Sequence, residues 1–365
     1  MKINVSRDLL MDKLNLTSRF TSNKLTSSTA LQGVLFKGSG NTIHMYATNL
    51  NAYIHTTIKT KVEEEFQIVI EPKKVIEFLH FLTPGDVVFE LKEKQITITK
   101  EKTKGNFALM EQDEFPMPPE LTEKEQTLES AFLTKNIPMV LFTASQDESR
   151  PVLTGVNFTH IDDDLVIVST DGFRLSIMKE KHQEGIPSMI IPADFLQEIM
   201  RNLKGQKEVL FTFSEKEKIV RFTLGEDSYY SRIIEGSFPE FQKVIPSEYK
   251  TKATVEVQEM LRNIKLISVF ARDYSNVVIC DFKQDGLYIK PKREDGDENT
   301  AFLDIKVEGE DQKVAFNFKF LIDFLSHVEG EEINIEILRP DSPVIFRPKT
   351  NPSFFHIIMP VRIQQ

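Results

Sequence analysis

Tryptophan is absent from this 365-residue sequence, and cysteine occurs once. A single Cys280 excludes an intrachain disulfide framework and suits a reducing compartment. It lies in the apolar run Val277-Val278-Ile279-Cys280 and reads as a buried, inert thiol. No stretch approaches the roughly 20 apolar residues of a membrane span. The N-terminus, Met1 to Val5, has no apolar signal core and reads as a strand. The expectation is a cytoplasmic protein without membrane contact. Catalytic signatures are missing as well: no H-E-x-x-H, no G-x-x-x-x-G-K-S/T, no G-x-G-x-x-G, no C-x-x-C and no G-x-S-x-G. The seven histidines (His44, His55, His80, His160, His182, His327, His356) stand at no metal-ligand spacing. Neither a cofactor nor a metal is expected, and the chain does not read as an enzyme.

Two acidic clusters test that reading. Asp162-Asp163-Asp164 could serve a metal-dependent nuclease, but it falls between Phe158-Thr159-His160 and Leu165-Val166-Ile167-Val168, where a hairpin turn belongs. The loop Arg293 to Asn299 contains a D-G-D fragment without the spacing or the terminal glutamate of a calcium loop. A basic excess is also lacking, since the formal net charge is −10. Binding to nucleic acid therefore requires the lysines and arginines to converge on one surface. The first 120 residues are balanced in charge, and the acid excess lies in the rest.

What the sequence does contain is a threefold repeat. Residues 66–82, 187–203 and 312–328 each run from a short apolar strand into an amphipathic helix. Val75, Phe78, Leu79 and Leu82 match Leu196, Ile199, Met200 and Leu203, and then Leu321, Phe324, Leu325 and Val328. The i, i+3, i+4, i+7 spacing gives one buried helix face each time. The offsets, 121 and 125 residues, are the length of a domain rather than of a solenoid repeat. Each unit also opens with a helical stretch (Ser6 to Phe20, Leu128 to Ala144, Val257 to Ala271) and closes with alternating β-rich runs. Pro-bearing or polar segments, 116–126 and 245–254, read as linkers. The expectation is an α+β protein of three similar domains, 1–120, 127–246 and 251–365. Each would hold two helices packed on antiparallel sheets.

Three long segments carry a resemblance. They are Ser145 to Asn157, Ser169-Thr170-Asp171-Gly172-Phe173-Arg174-Leu175-Ser176, and Glu235 to Pro246. With the closing Ile357-Ile358-Met359-Pro360-Val361-Arg362-Ile363, they resemble, in order, the β sliding clamps of bacterial replicative DNA polymerase. Three features depart from the family: the loop Asn23 to Gly33 lacks its usual proline, Phe173 stands where His or Tyr is common, and Gln364-Gln365 extend the end.

The resemblance implies a non-catalytic, homodimeric head-to-tail ring that encircles double-stranded DNA without reading its sequence. It would tether the replicative DNA polymerase, the clamp loader and other proteins carrying a clamp-binding motif. Matched residue by residue, the partner-peptide pocket would comprise Leu153, Thr170, Gly172, Phe173, Arg174, Leu175, Pro239 and Val244. The last domain would add Asn317, Phe320, Pro343, Val344, Met359, Pro360, Val361 and Arg362. The DNA surface would include Arg7, Lys13, Arg19, Lys24, Lys73, Lys74, Gln146 and Arg150, and the dimer contact Phe107 and Leu109 against Val269 and Phe270. Two other readings are weaker: a metal- or acid-dependent nuclease or hydrolase lacks the catalytic constellations it would need, and a repeat-built scaffold with no DNA role would have no basic lining on the first helix of each unit.

Overall fold

The structure is a computed structural model, and it describes residues 1–22, 29–111, 114–181, 185–272, 275–292, 299–328 and 330–362. The sequence of elements repeats. The first third runs β1 (Lys2–Ser6), α1 (Arg7–Ser18), β2 (Val34–Ser39), β3 (Thr42–Thr48), β4 (Ala52–Lys59) and β5 (Phe66–Ile70). It continues with α2 (Pro72–Phe81), β6 (Asp86–Leu91), β7 (Gln95–Lys100) and β8 (Thr103–Met110). The second third has the same order: β9 (Gln126–Glu129), α3 (Ser130–Leu141), β10 (Gly155–Ile161), β11 (Asp164–Thr170), β12 (Arg174–Lys181) and β13 (Met189–Pro192). Then come α4 (Ala193–Asn202), β14 (Glu208–Ser214), β15 (Ile219–Leu224) and β16 (Asp227–Arg232). The last third runs β17 (Thr251–Glu256), α5 (Val257–Ala271), β18 (Val277–Lys283), β19 (Gly286–Pro291), β20 (Ala301–Leu303) and the additional β21 (Lys306–Gly309). It ends with β22 (Gln312–Asn317), α6 (Phe318–His327), β23 (Glu332–Ile337), β24 (Val344–Pro348) and β25 (Phe354–Ile358).

Local chemistry explains several boundaries. The Ser6 side chain accepts from Leu9 N at the start of α1, Pro72 opens α2, and the Asn317 side chain accepts from Lys319 N at the start of α6. Each device meets a helix N-terminus that has unpaired N–H groups. The Asp162 turn is present between β10 and β11, with Asp162 at φ +52. Cys280 is buried, and that burial pushes its thiol pKa up to about 12, which leaves it unreactive.

By contacts the chain divides into two compact units, Met1–Ser130 with Arg201–Ile233, and Ala131–Met200 with Ile234–Gln365. Strands of the middle third are thus shared out. In the first unit a 12-stranded sheet has the order β1-β6-β7-β8-β5-β2-β3-β4-β16-β15-β14-β9. Leu10 and Leu14 of α1 and Val75 and Leu79 of α2 are buried in it. In the second unit a nine-stranded sheet runs β13-β10-β11-β12-β25-β24-β23-β17-β21, beside a four-stranded sheet β20-β19-β18-β22. Met260, Ile264 and Ile267 of α5 and Leu321, Phe324 and Leu325 of α6 are buried there. Among the described residues no helix is long and apolar enough to cross a membrane.

The two large sheets share one rule. In the first unit β4, the fourth strand of the first repeat, pairs with β16, the eighth strand of the second, placing Tyr53 opposite Tyr230. In the second unit β12, the fourth strand of the second repeat, pairs with β25, the last strand of the third, placing Leu175 opposite Ile357. Successive repeats are therefore zipped by backbone hydrogen bonds.

Candidate functional site

The groove residues gather in the second unit, at the end of the β12·β25 seam. The turn from β11 into β12 is closed by its own side chains. Thr170 Oγ1 donates to Arg174 O at 2.6 Å and accepts from Gly172 N at 3.0 Å. Asp171 Oδ1 accepts from the N–H groups of Phe173 and Arg174 at 2.9 and 3.0 Å. Gly172 has φ +91, a left-handed conformation that glycine adopts without steric cost. The turn holds Phe173 out, 60% exposed. After β25 the chain stays beside it: Met359 N donates to Phe173 O and Val361 N to Ala315 O, both at 2.8 Å. Phe173, Val244 and Met359 leave apolar surface open to solvent.

Beneath lies a cluster of Val166, Val168, Leu175, Ile177, Ile345, Phe355 and Ile357, with Phe238, Phe241 and Ile245 packed against it. Leu153, Thr170, Leu175 and Val344 are buried, so they form the floor, while Pro239 and Arg362 are exposed and Pro343, Pro360 and Val361 half-buried. Asn317 and half-buried Phe320 come from the β22–α6 junction.

Arg174 organises this end of the unit. Nε donates to Asp171 Oδ2 at 3.0 Å, Nη1 to Asp323 Oδ2 at 2.7 Å and Nη2 to Phe142 O at 3.2 Å. Its guanidinium also lies 4.6 Å from the centre of the Phe320 ring. With its side chain only 10% exposed, Arg174 ties the turn to α6 and to the end of α3. Neither Asp323 nor Phe142 was visible as a partner in the sequence, because they lie 149 and 32 residues from Arg174. A cavity of about 610 Å³ opens here, lined among others by Phe142, Gln146, Arg150, Phe173, Arg174 and His327. It joins Gln146 and Arg150, expected at DNA, with Phe173 and Arg174, expected at a peptide.

Under the same seam His356 is fully buried, opposite Ser176 in the ladder. Its Nδ1 is 2.8 Å from Ser176 Oγ, which is 2.6 Å from Thr143 Oγ1, and its ring stacks on Phe324 at 4.8 Å. Burial, aided by the charge of Arg174, holds the imidazole pKa well below its usual value. The unfolded chain takes up a proton near pH 6.5 and the folded chain does not. Stability is therefore full above that pH and falls as the pH drops below it, by up to about 1.4 kcal/mol per unit from this residue. Denaturant midpoints measured between pH 8 and 5 will show the decline, and His356→Gln will flatten it. An equal slope in the variant would remove His356 as the cause.

The basic residues divide into two kinds. Arg7 is engaged structurally: Nε donates to Leu79 O at 2.8 Å, and Nη2 to Leu82 O at 2.7 Å and His80 O at 3.2 Å. It caps the carbonyl end of α2, where a cation is favoured. Lys13 is 2.6 Å from Asp227, both side chains mostly covered. Arg19, Lys73, Lys74, Gln146 and Arg150 are exposed. Lys74 lies 3.5 Å from Glu71, and Arg150 Nε donates to Asp147 at 3.1 Å. Lys24, like residues 293–298 of the D-G-D loop and the Gln364-Gln365 extension, lies outside the described residues.

The proposed dimer contacts lie on two elements. Along β8, Gly105, Phe107 and Leu109 are half-buried and alternate with exposed neighbours. Phe107 meets Phe78 edge to face at 5.5 Å, and Phe78 is half-buried on an otherwise covered helix face. On α5, Val269 is 58% exposed and Phe270 half-buried. Sequence reasoning missed three exposed apolar residues on these or neighbouring elements, Phe81, Leu266 and Phe302.

Three family models match the chain in succession. They describe the N-terminal domain of DNA polymerase III beta subunit at residues 1–119, the central domain at 127–240 and the C-terminal domain at 242–362. Beta sliding clamps of Staphylococcus epidermidis and Staphylococcus aureus are 26% and 25% identical to it, each alignment covering 99% of both chains. Among solved structures, a DNA polymerase III beta subunit from Thermotoga maritima is similar over the whole of both chains, with a TM-score of 0.91 at 24% identity.

Proposed function

Because this chain belongs to the DNA polymerase III beta subunit family, it is a DNA sliding clamp, and we propose that two copies close head to tail into a ring of six domains. It has no catalytic activity of its own and acts as a processivity factor. The domains are taken as 1–120, 127–246 and 251–365, and the working compartment as the cytoplasm.

One observation carries the ring. A fourth strand pairs with the last strand of the next repeat at β4·β16 and again at β12·β25. Applied once more, the rule needs a partner for β20 and a partner for β8. Among the described residues β20 pairs only with β19. β8 pairs with β7 along its length, but with β5 only at Leu109 and Met110. These open edges suit a second copy: β20 of one chain against β8 of the next, twice, closes the set. Val269 and Phe270 would then meet Phe107 and Leu109.

Within the ring, exposed cations including Arg19, Lys73, Lys74 and Arg150 touch phosphates weakly and without reading sequence, as sliding requires. Arg7 and Lys13 contribute field and helix position more than direct contact. Lys24 is assigned to the same surface. Retention comes from topology. The groove at Phe173 and Met359 takes an extended peptide from the replicative polymerase, the clamp loader or other carriers of a clamp-binding motif. Its apolar side chains supply burial, and backbone groups with Arg362 supply orientation. A polymerase tethered in this way rebinds its template before it diffuses off.

Deleting Met359 to Gln365 removes one wall of the groove and should abolish binding of every such peptide, by at least about 100-fold from the loss of several buried contacts. Fluorescence anisotropy with labelled polymerase and loader peptides reads this, and light scattering checks that the dimer survives. A peptide that keeps its affinity docks elsewhere.

A further inference from the structure

We propose that His44 and His55, completed by Glu226, form a binding site for a divalent first-row transition-metal ion such as Zn²⁺. The two imidazoles project from one face of the β3–β4 ladder: His44 stands opposite Thr57, and His55 is two residues before Thr57 on the same face. His44 Nδ1 lies 3.0 Å from His55 Nε2. The rings are near-parallel, 16° apart, with centroids 5.3 Å apart. Two nitrogens bound to one tetrahedral zinc at 2.0–2.1 Å are about 3.3 Å apart. The nitrogens therefore stand close to the spacing of two ligands of one ion, which would replace the proton they share once the rings turn to aim both lone pairs at it.

Neighbouring groups favour ligation. Tyr46 stacks on His55 at 4.5 Å and 10°, fixing the plane of that imidazole as an outer-shell partner does. Burial and then the neighbouring His44 lower the His55 pKa to about 4, with Asp227 opposing. A neutral imidazole is the form that binds metal. Among the described residues no three His, Cys, Asp or Glu side chains already stand together as a metal set. The third donor must therefore move in, and Glu226 is placed to do so. Its Oε2 accepts from Thr57 Oγ1 at 3.2 Å, directly across the ladder from His44, and its ion-pair partner Lys59 is exposed. An exposed pair of this kind holds the carboxylate weakly. Since Glu226 belongs to the turn between β15 and β16, the ion would join the first repeat to the second across the β4·β16 seam.

Calorimetric titration of Zn²⁺ into the chelator-stripped full-length protein tests the site. The expected result is one ion per chain with a raised melting temperature. His44→Gln with His55→Gln should weaken binding at least 100-fold, Glu226→Gln about tenfold, and His80→Gln with His327→Gln not at all. Undiminished affinity in the His44/His55 variant overturns the site, and an unchanged affinity in Glu226→Gln removes the carboxylate from it. Should the double variant fail to fold, Ni²⁺ added to the unmodified protein serves instead. Selective broadening of the His44 and His55 imidazole resonances supports the site, and broadening confined to other histidines refutes it.

Discussion

Phe107→Glu combined with Leu109→Glu will convert the protein from a dimer into a folded monomer. Both side chains point to the same face of β8 and are half-buried within one chain, so their apolar surface is only partly used by that chain. Completing the burial of two half-covered residues contributes about 1.5–3 kcal/mol together at each interface, of which the ring has two. Two glutamates would also have to be desolvated without partners, a further penalty. The dissociation constant should rise by at least about 10³-fold, enough to dissociate the ring at micromolar concentration. Val269→Glu, on the surface expected to oppose β8, should act in the same direction, as should Phe302→Glu on the open strand β20, where Phe302 is 48% exposed. Sedimentation velocity reports the mass, and a cooperative thermal melt reports folding. A species that remains dimeric places the interface elsewhere, while loss of the cooperative melt assigns Phe107 and Leu109 to the core.

Why the sequence foretold some of this and not the rest is visible in particular residues. The repeated helices were legible because one-sided burial imposes a periodic pattern: Val75, Leu79 and Leu82, then Leu321, Phe324, Leu325 and Val328, are buried as their spacing required. The Asp162 turn was legible because acidic residues between two apolar runs have few alternatives. The strand seams were not, since hydrogen bonding between β12 and β25 joins residues about 180 positions apart and leaves no local trace. The same distance hid Asp323 behind Arg174. Charge alone did not separate their surroundings: Arg7 and Lys13 carry the same sign as Lys73, yet one caps α2 and the other meets Asp227, while Lys73 is exposed. Groove residues such as Leu153 and Val344 came from resemblance rather than pattern, because a buried floor reads like any other core position.

Retention of a ring on DNA is a matter of topology, and that separates it from ordinary binding. A protein held only by phosphate contacts loses affinity steeply with salt, because each neutralised phosphate releases counterions. A closed ring must open or reach an end. Lys73→Glu with Lys74→Glu should accordingly slow loading and sliding while leaving retention on circles nearly intact. The direct measurement is the lifetime of the protein, once loaded by clamp loader and ATP, on a nicked circle and on the same DNA after a single linearising cut, both in high salt. The account predicts that it persists on the circle and runs off the linear molecule quickly; equal lifetimes on the two would contradict it.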